Sequence, residues 1–197
     1  MKPIVRAALI ALIALTLGAC GAMRSQNPGT ALSPVNAVAV AEDASVMLKG
    51  ADVVAYFTEN RYVQGQANNK SIYEGVTFHF ASAANKALFD RDPRKYLPEY
   101  GGYCADGIAY GIPWGGDADR FKMINGKLYI FGGQGSLDAW NLDEKRNFAL
   151  AEKYWKEEVA GSNSIWQRTK RLIFRVPHYK SGEELAREVA AAKGGKP

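Results

Sequence analysis

Few residues in this chain carry chemistry, and they are quickly named. There are two cysteines, Cys20 and Cys104, and two histidines, His79 and His178. Cys104 stands in Tyr103-Cys104-Ala105-Asp106, inside a Gly-rich, aromatic stretch. A thiolate there, with the His79 imidazole and the Asp106 or Asp52 carboxylate, has the donor types that hold copper or zinc. The other reading of Cys104 is a buried, inert thiol that packs as a small apolar group. His178 follows Pro177 and has no obvious partner. With no Cys-x-x-Cys, thioredoxin-like exchange is unsupported. No Ser-His-Asp arrangement, phosphate-cradling loop or carboxylate pair with a clear role is visible, so the chain reads as a binding module rather than an enzyme. Tyr56, Tyr100, Tyr103, Tyr110 and Trp114 surround the Gly-rich stretch in sequence. They are core packing or the walls of a shallow pocket for a small ligand.

These residues need elements to position them. Val76, Phe78 and Phe80 alternate with Thr77 and His79, the period of a strand with one apolar face, which puts His79 on the more polar side. Glu74-Gly75 can turn the chain back onto Ser71-Ile72-Tyr73. Ser82 is a good N-cap for a helix of about two turns through Ala84, Ala87 and Leu88. Asp92-Pro93 restarts the chain, with Asp92 as a cap and Pro93 at the first helical position. Asn60 to Lys70 and Ile108 to Asp119 read as loops. Phe121 and Met123, the Asn125-Gly126 turn, then Leu128 and Ile130 form a clear hairpin, whose second face carries Ile124, Tyr129 and Phe131. A long helix runs from Asn141 or Asp143 to about Val159, with Phe148, Ala151, Trp155 and Val159 on one face. The expected fold is α+β: a small antiparallel sheet of hairpins with packed helices, followed by a helical C-terminal tail.

The central stretch resembles the YHS domain family. The family pattern, a strand pair ending in an aromatic, Cys-Ser-x-x-Cys, a helix with a late Phe, then Asp-Pro-x-x-Tyr, stands here as Tyr73-Glu74-Gly75, Phe78-His79-Phe80, Ala81-Ser82-Ala83-Ala84-Asn85, Phe89 and Asp92-Pro93-Arg94-Lys95-Tyr96. Gly50 to Phe57 looks like the opening of the longer exported members, and Tyr100 to Ala105 like their "YGGYCA" segment. The resemblance covers roughly Leu48 to Gly161. It implies metal binding in one branch, where cysteines stand at the positions of Ala81 and Asn85 and another at Val54 or Ala55. None of these three is a soft-metal ligand here.

The ends of the chain speak to location. Lys2 and Arg6 precede a short apolar run, Ala7 to Leu17, too short to span a bilayer comfortably. Leu17-Gly18-Ala19-Cys20 then resembles a bacterial lipobox; an ordinary secretory signal with a chance Cys is the alternative. The expected organisation is a signal peptide over 1–19, acylation of Cys20, a flexible tether over 20–47, a YHS-like domain over 48–161 and a basic helical tail over 162–197. Gly21 behind the Cys fits an outer-membrane anchor facing the periplasm. From Gly161 onward eight Lys or Arg and three Glu give +5. The leader carries +2 of the total +5, so residues 20–160 sum to −2. The folded part is not basic, which excludes a nucleic-acid partner. In the tail, Ile165, Thr169, Leu172, Ile173 and Val176 share a helical face flanked by Arg168, Lys170, Arg171 and Arg175. That face docks on the domain, or it meets anionic lipid or an acidic protein. Ser181 with Glu184 is a capping box for a last helix, Glu183 to Lys193.

Overall fold

A computed structural model describes residues 21–194. The expected leader and the expected acylation site, Cys20, lie outside the described residues. The organising strand is β4 (Val76–Phe80), joined to β3 (Gln66–Tyr73) by the expected tight turn, with Glu74 and Gly75 both at positive φ. On the other side of β4 lies β2 (Asp43–Met47), parallel to it, and β1 (Ala37–Val40) closes that edge. The order is β1-β2-β4-β3. The sheet is therefore mixed, not the antiparallel sheet of hairpins expected, and its extra strands come from residues read as tether. Val35, Ala37, Val46 and Met47 are all buried in it. Small and polar neighbours hide a short apolar alternation that a sheet edge can bury. The chain ahead of β1 is also held: a helix over residues 21–26 (α1) packs on β2, with Ser45 donating to the Ser25 carbonyl at 2.9 Å. Flexibility over 20–47 is thus corrected to ordered structure from Gly21.

All five β4 residues are buried, His79 included, because β2 and the Leu48–Gly50 turn cover the side expected to be polar. Behind β4 comes α3 (Ala83–Arg91), capped as expected by Ser82, whose hydroxyl accepts from the Asn85 N–H at 3.1 Å. Its Phe89 ring packs on Phe78 and Phe80, with centroids 4.6 and 5.1 Å away. Pro93 opens a single 3₁₀ turn, but Asp92 makes no side-chain cap. Upstream, α2 (Ala55–Glu59) follows the Gly50–Val54 turn.

The second hairpin, β5 (Asp117–Ile124) and β6 (Lys127–Phe131), divides the interior. Leu128 and Ile130 belong to the core under the four-stranded sheet; Tyr129 and Phe131, pointing the other way, belong to a second core. That second core is helical: α4 (Ala105–Ala109), α5 (Gln134–Leu142) and α6 (Glu144–Tyr154), the last capped by Asp143 and running on as a π-helical turn to Val159. Helix α5 is an addition to the expected elements, because Gly132-Gly133 read only as the close of the hairpin; the fully buried Trp140 holds it in place. The connection between the cores is the Tyr100-Gly101-Gly102 run, three consecutive left-handed residues. A Cβ at Gly101 would sit well inside contact distance of the Pro34 carbonyl, so only glycine fits.

The tail is part of the same body. Helices α7 (Ser164–Ile173) and α8 (Gly182–Ala192) follow, and the Ser181–Glu184 capping box is present. Val176 is buried in the helical core and Leu185 packs against it. His178 does find a partner: its Nε2 lies 2.9 Å from the Ala109 carbonyl, and its ring stacks on Tyr110. The orientation of α7 departs from expectation. Ser164 and Gln167 are buried, whereas Leu172 and Ile173 stand 74% and 67% exposed, so the apolar face points outward.

Candidate functional site

Two corners of the fold hold candidate chemistry. The first is centred on Asp52, which is fully buried. Its Oδ1 accepts from the backbone N–H groups of Val54 at 2.9 Å and Ala55 at 3.3 Å. Its Oδ2 accepts from the Ala81 N–H at 2.8 Å and the Asn85 side-chain amide at 2.7 Å. The positions where the resemblance places cysteines therefore do converge in space. What converges is one carboxylate saturated by four N–H donors, with no thiolate and no free lone pair. These residues do not fit a soft metal. They tie the start of α2 to the start of α3 instead.

The remaining metal candidates are held apart and occupied. The His79 Nε2 lies 3.0 Å from Asp43, which also takes Lys70 at 2.7 Å. Hydrogen bonds from Lys70 and His79 hold the Asp43 carboxyl below the usual range. Cys104 sits elsewhere, at the start of α4 and bridged to Ile130 of β6. Its sulfur accepts from the Gly107 N–H at 3.4 Å, and burial pushes the thiol up. A raised thiol is a poor nucleophile and a poor ligand. Among the described residues, no three His, Cys, Asp or Glu side chains come together as a metal site.

The second corner is a cavity of about 560 Å³ between α4, α5 and α8. Asp106, Tyr110 and Trp114 line it, with Ser136 from α5 and Leu185, Ala186, Val189 and Ala190 from α8 across the opening. Asp106 is only 5% exposed, and no described group donates a hydrogen bond to its carboxylate. Burial alone raises it from 3.8 to about 7. The nearby lysines are engaged elsewhere, Lys180 with Glu188 and Lys193 with Asp138. The size and largely apolar lining are those of a small-molecule site.

Of the five aromatics singled out in the sequence, only Tyr110 and Trp114 line this cavity. Tyr56 is locked in the first core and donates to the Ala118 carbonyl at 2.6 Å. Tyr103 donates to the Val35 carbonyl at 2.8 Å, and Tyr100 to Glu152 at 2.8 Å. Those three do structural work. Sequence reading missed Ser136, Tyr179 and the α8 residues; the Leu185, Ala186, Val189, Ala190 spacing was the available signal, an apolar stripe with no partner named.

Comparison with known families agrees with the first corner. The YHS domain family matches residues 54–100, so the chain carries a YHS domain there. No curated protein and no solved structure matches the chain. The match holds most of the Asp52 corner and stops short of Asp106.

Proposed function

We propose, from a YHS domain whose ligand corner is filled by Asp52, that this chain is a non-catalytic binding module of the bacterial envelope, anchored by acylated Cys20. Its ligand is a small molecule with an apolar body and a cationic or hydrogen-bond-donating head, held between α4, α5 and α8. The observation that carries this reading is Asp106, a buried carboxylate without a donor, facing an apolar cavity. An unpaired buried carboxylate costs several kcal/mol, roughly. A ligand donor would recover that cost. Tyr110 and Trp114 supply ring faces that favour a cation. The anchor rests on Leu17-Gly18-Ala19-Cys20 behind the short apolar run, with Gly21 favouring the outer membrane. Among the described residues, no helix is long and apolar enough to cross a membrane. The competing reading, a metal or redox protein using Cys104 with His79, has no support in the positions of those side chains.

Native mass spectrometry of the protein purified from its own envelope tests the binding role. The wild type should carry a small organic adduct that Asp106→Asn loses. A bare wild type, or a stoichiometric metal lost on Cys104→Ser, would overturn it.

A further inference from the structure

Helix α7 is docked with its polar side inward. Gln167 donates to the Gly111 carbonyl at 2.9 Å, Arg168 to the Pro113 carbonyl at 2.8 Å, and Arg171 pairs with Glu158. At 3.6 residues per turn, Ile165, Trp166, Thr169, Leu172 and Ile173 fall on the opposite side, within an arc of about 120°. Trp166 is 66% exposed and Phe174, just past the helix, also 66%. Four large apolar side chains left in water on one strongly amphipathic helix mark an interaction surface.

The chain itself says what this surface faces. The described part of α1 begins at Gly21, the residue after Cys20, and α1 ends on α7. The Asn27 side chain accepts from the Ser164 N–H at 2.7 Å, and Gln26 takes Arg168 at 2.8 Å. Gln26 is five residues from Gly21, about 7.5 Å along a helix. With residues 21–47 folded, an acyl anchor at Cys20 has no long tether. It would hold the body close to the bilayer, with the start of α7 only the length of α1 away. The charges agree: Arg175, next to Phe174, forms no ion pair among the described residues, and Lys170 stands one turn from Trp166 and Ile173 with only Glu158 as ion-pair partner. Basic groups around an apolar stripe suit an anionic lipid surface.

We propose that the exposed face of α7, with Phe174, lies in the interface of an anionic phospholipid bilayer beside the N-terminal anchor. This rests on the anchored reading of Cys20. The helix lies on the membrane; it does not cross it.

The test uses the full chain as its host processes it, reconstituted in vesicles of phosphatidylethanolamine and phosphatidylglycerol with acyl chains brominated near the headgroup. Tryptophan fluorescence should be quenched, and Trp166→Phe should remove most of the quenched signal. Leu172→Ser with Ile173→Ser should abolish quenching of Trp166 while leaving far-UV circular dichroism unchanged. Intact mass spectrometry of the same sample reads the N-terminus. An acylated protein whose Trp166 is unquenched overturns the interfacial face and leaves the anchor standing. That holds whether a second copy or an unremoved leader then covers the helix. A quenched Trp166 on an unacylated chain sustains the face and removes the anchor.

Discussion

Asp52 and Asp106 are both carboxylates buried in one body, and the fold treats them in opposite ways. Asp52 receives four N–H donors and joins two helix starts. Asp106 receives none and looks into a cavity. A charge buried with its full complement of donors belongs to the architecture; one buried without them is a cost that a bound donor can offset. The contrast follows the family boundary. Residues 54–100 match the YHS family and supply all four donors of the Asp52 hub. Beyond residue 100, helices α4, α5 and α8 enclose the cavity that Asp106 lines.

The largest effect that separates the two corners is on stability. Asp52→Ala strips four donors of their acceptor at a fully buried point, and should cost about 3–5 kcal/mol in urea unfolding at pH 8. Asp106→Asn at the same pH should be neutral or stabilising. Equal losses would dissolve the comparison. Asp106 also sets a pH dependence. Folded, it titrates near 7; in the unfolded chain near 3.8. Between those values the folded state keeps a proton that the unfolded chain releases, so its contribution to stability falls as pH rises through that window and is fully lost above it. The fall should be on the order of 2–4 kcal/mol in the wild type and absent in Asp106→Asn. A stability profile that is the same in both proteins from pH 4 to pH 8 would place the Asp106 proton elsewhere.

The Asp52 corner can be sharpened by restoring what it lacks. Ala81→Cys with Asn85→Cys should raise zinc affinity by roughly a hundredfold or more over the parent, because two thiolates would then flank an existing carboxylate. Titration with Zn²⁺ under reducing conditions reads it, and a parent that already binds as tightly would contradict the hub. The smallest stability effect belongs to Val189→Trp, which fills the cavity from α8. It should move the unfolding midpoint by less than about 1 kcal/mol, since the added ring enters open space. It should nonetheless abolish any bound adduct.

How much of this was legible in the sequence divides along the same line. Both hairpins could be read from alternation and from Glu74-Gly75 and Asn125-Gly126; Ser82 and the Ser181–Glu184 box declared helix starts. These are local signals, written in a few adjacent residues. Strands β1 and β2 were not legible, because four or five residues become strands only when partners are beside them, β4 for β2 and β2 for β1. The facing of α7 was lost for a related reason. Periodicity shows that a helix is two-sided, but only the Gly111 and Pro113 carbonyls decide that the polar side goes in. Asp106, Tyr110 and Trp114 were named from one short stretch. The wall supplied by α8 could not be, since it lies some eighty residues away and arrives only by tertiary packing. The sequence offers Asp52 only as an oxygen donor for a metal; its four N–H partners come from two different segments.

The central claim is that Asp106 is a ligand group held ready in an apolar cavity. The measurement that reaches it most directly is a ¹³C carboxyl NMR titration of Asp106, assigned through Asp106→Asn, with and without a hydrophobic quaternary ammonium such as benzyltrimethylammonium. The account predicts a midpoint near 7 in the free protein that moves to lower pH when the cation binds, with no such response in Val189→Trp. A free midpoint near 4, or one that ignores the cation, would contradict it.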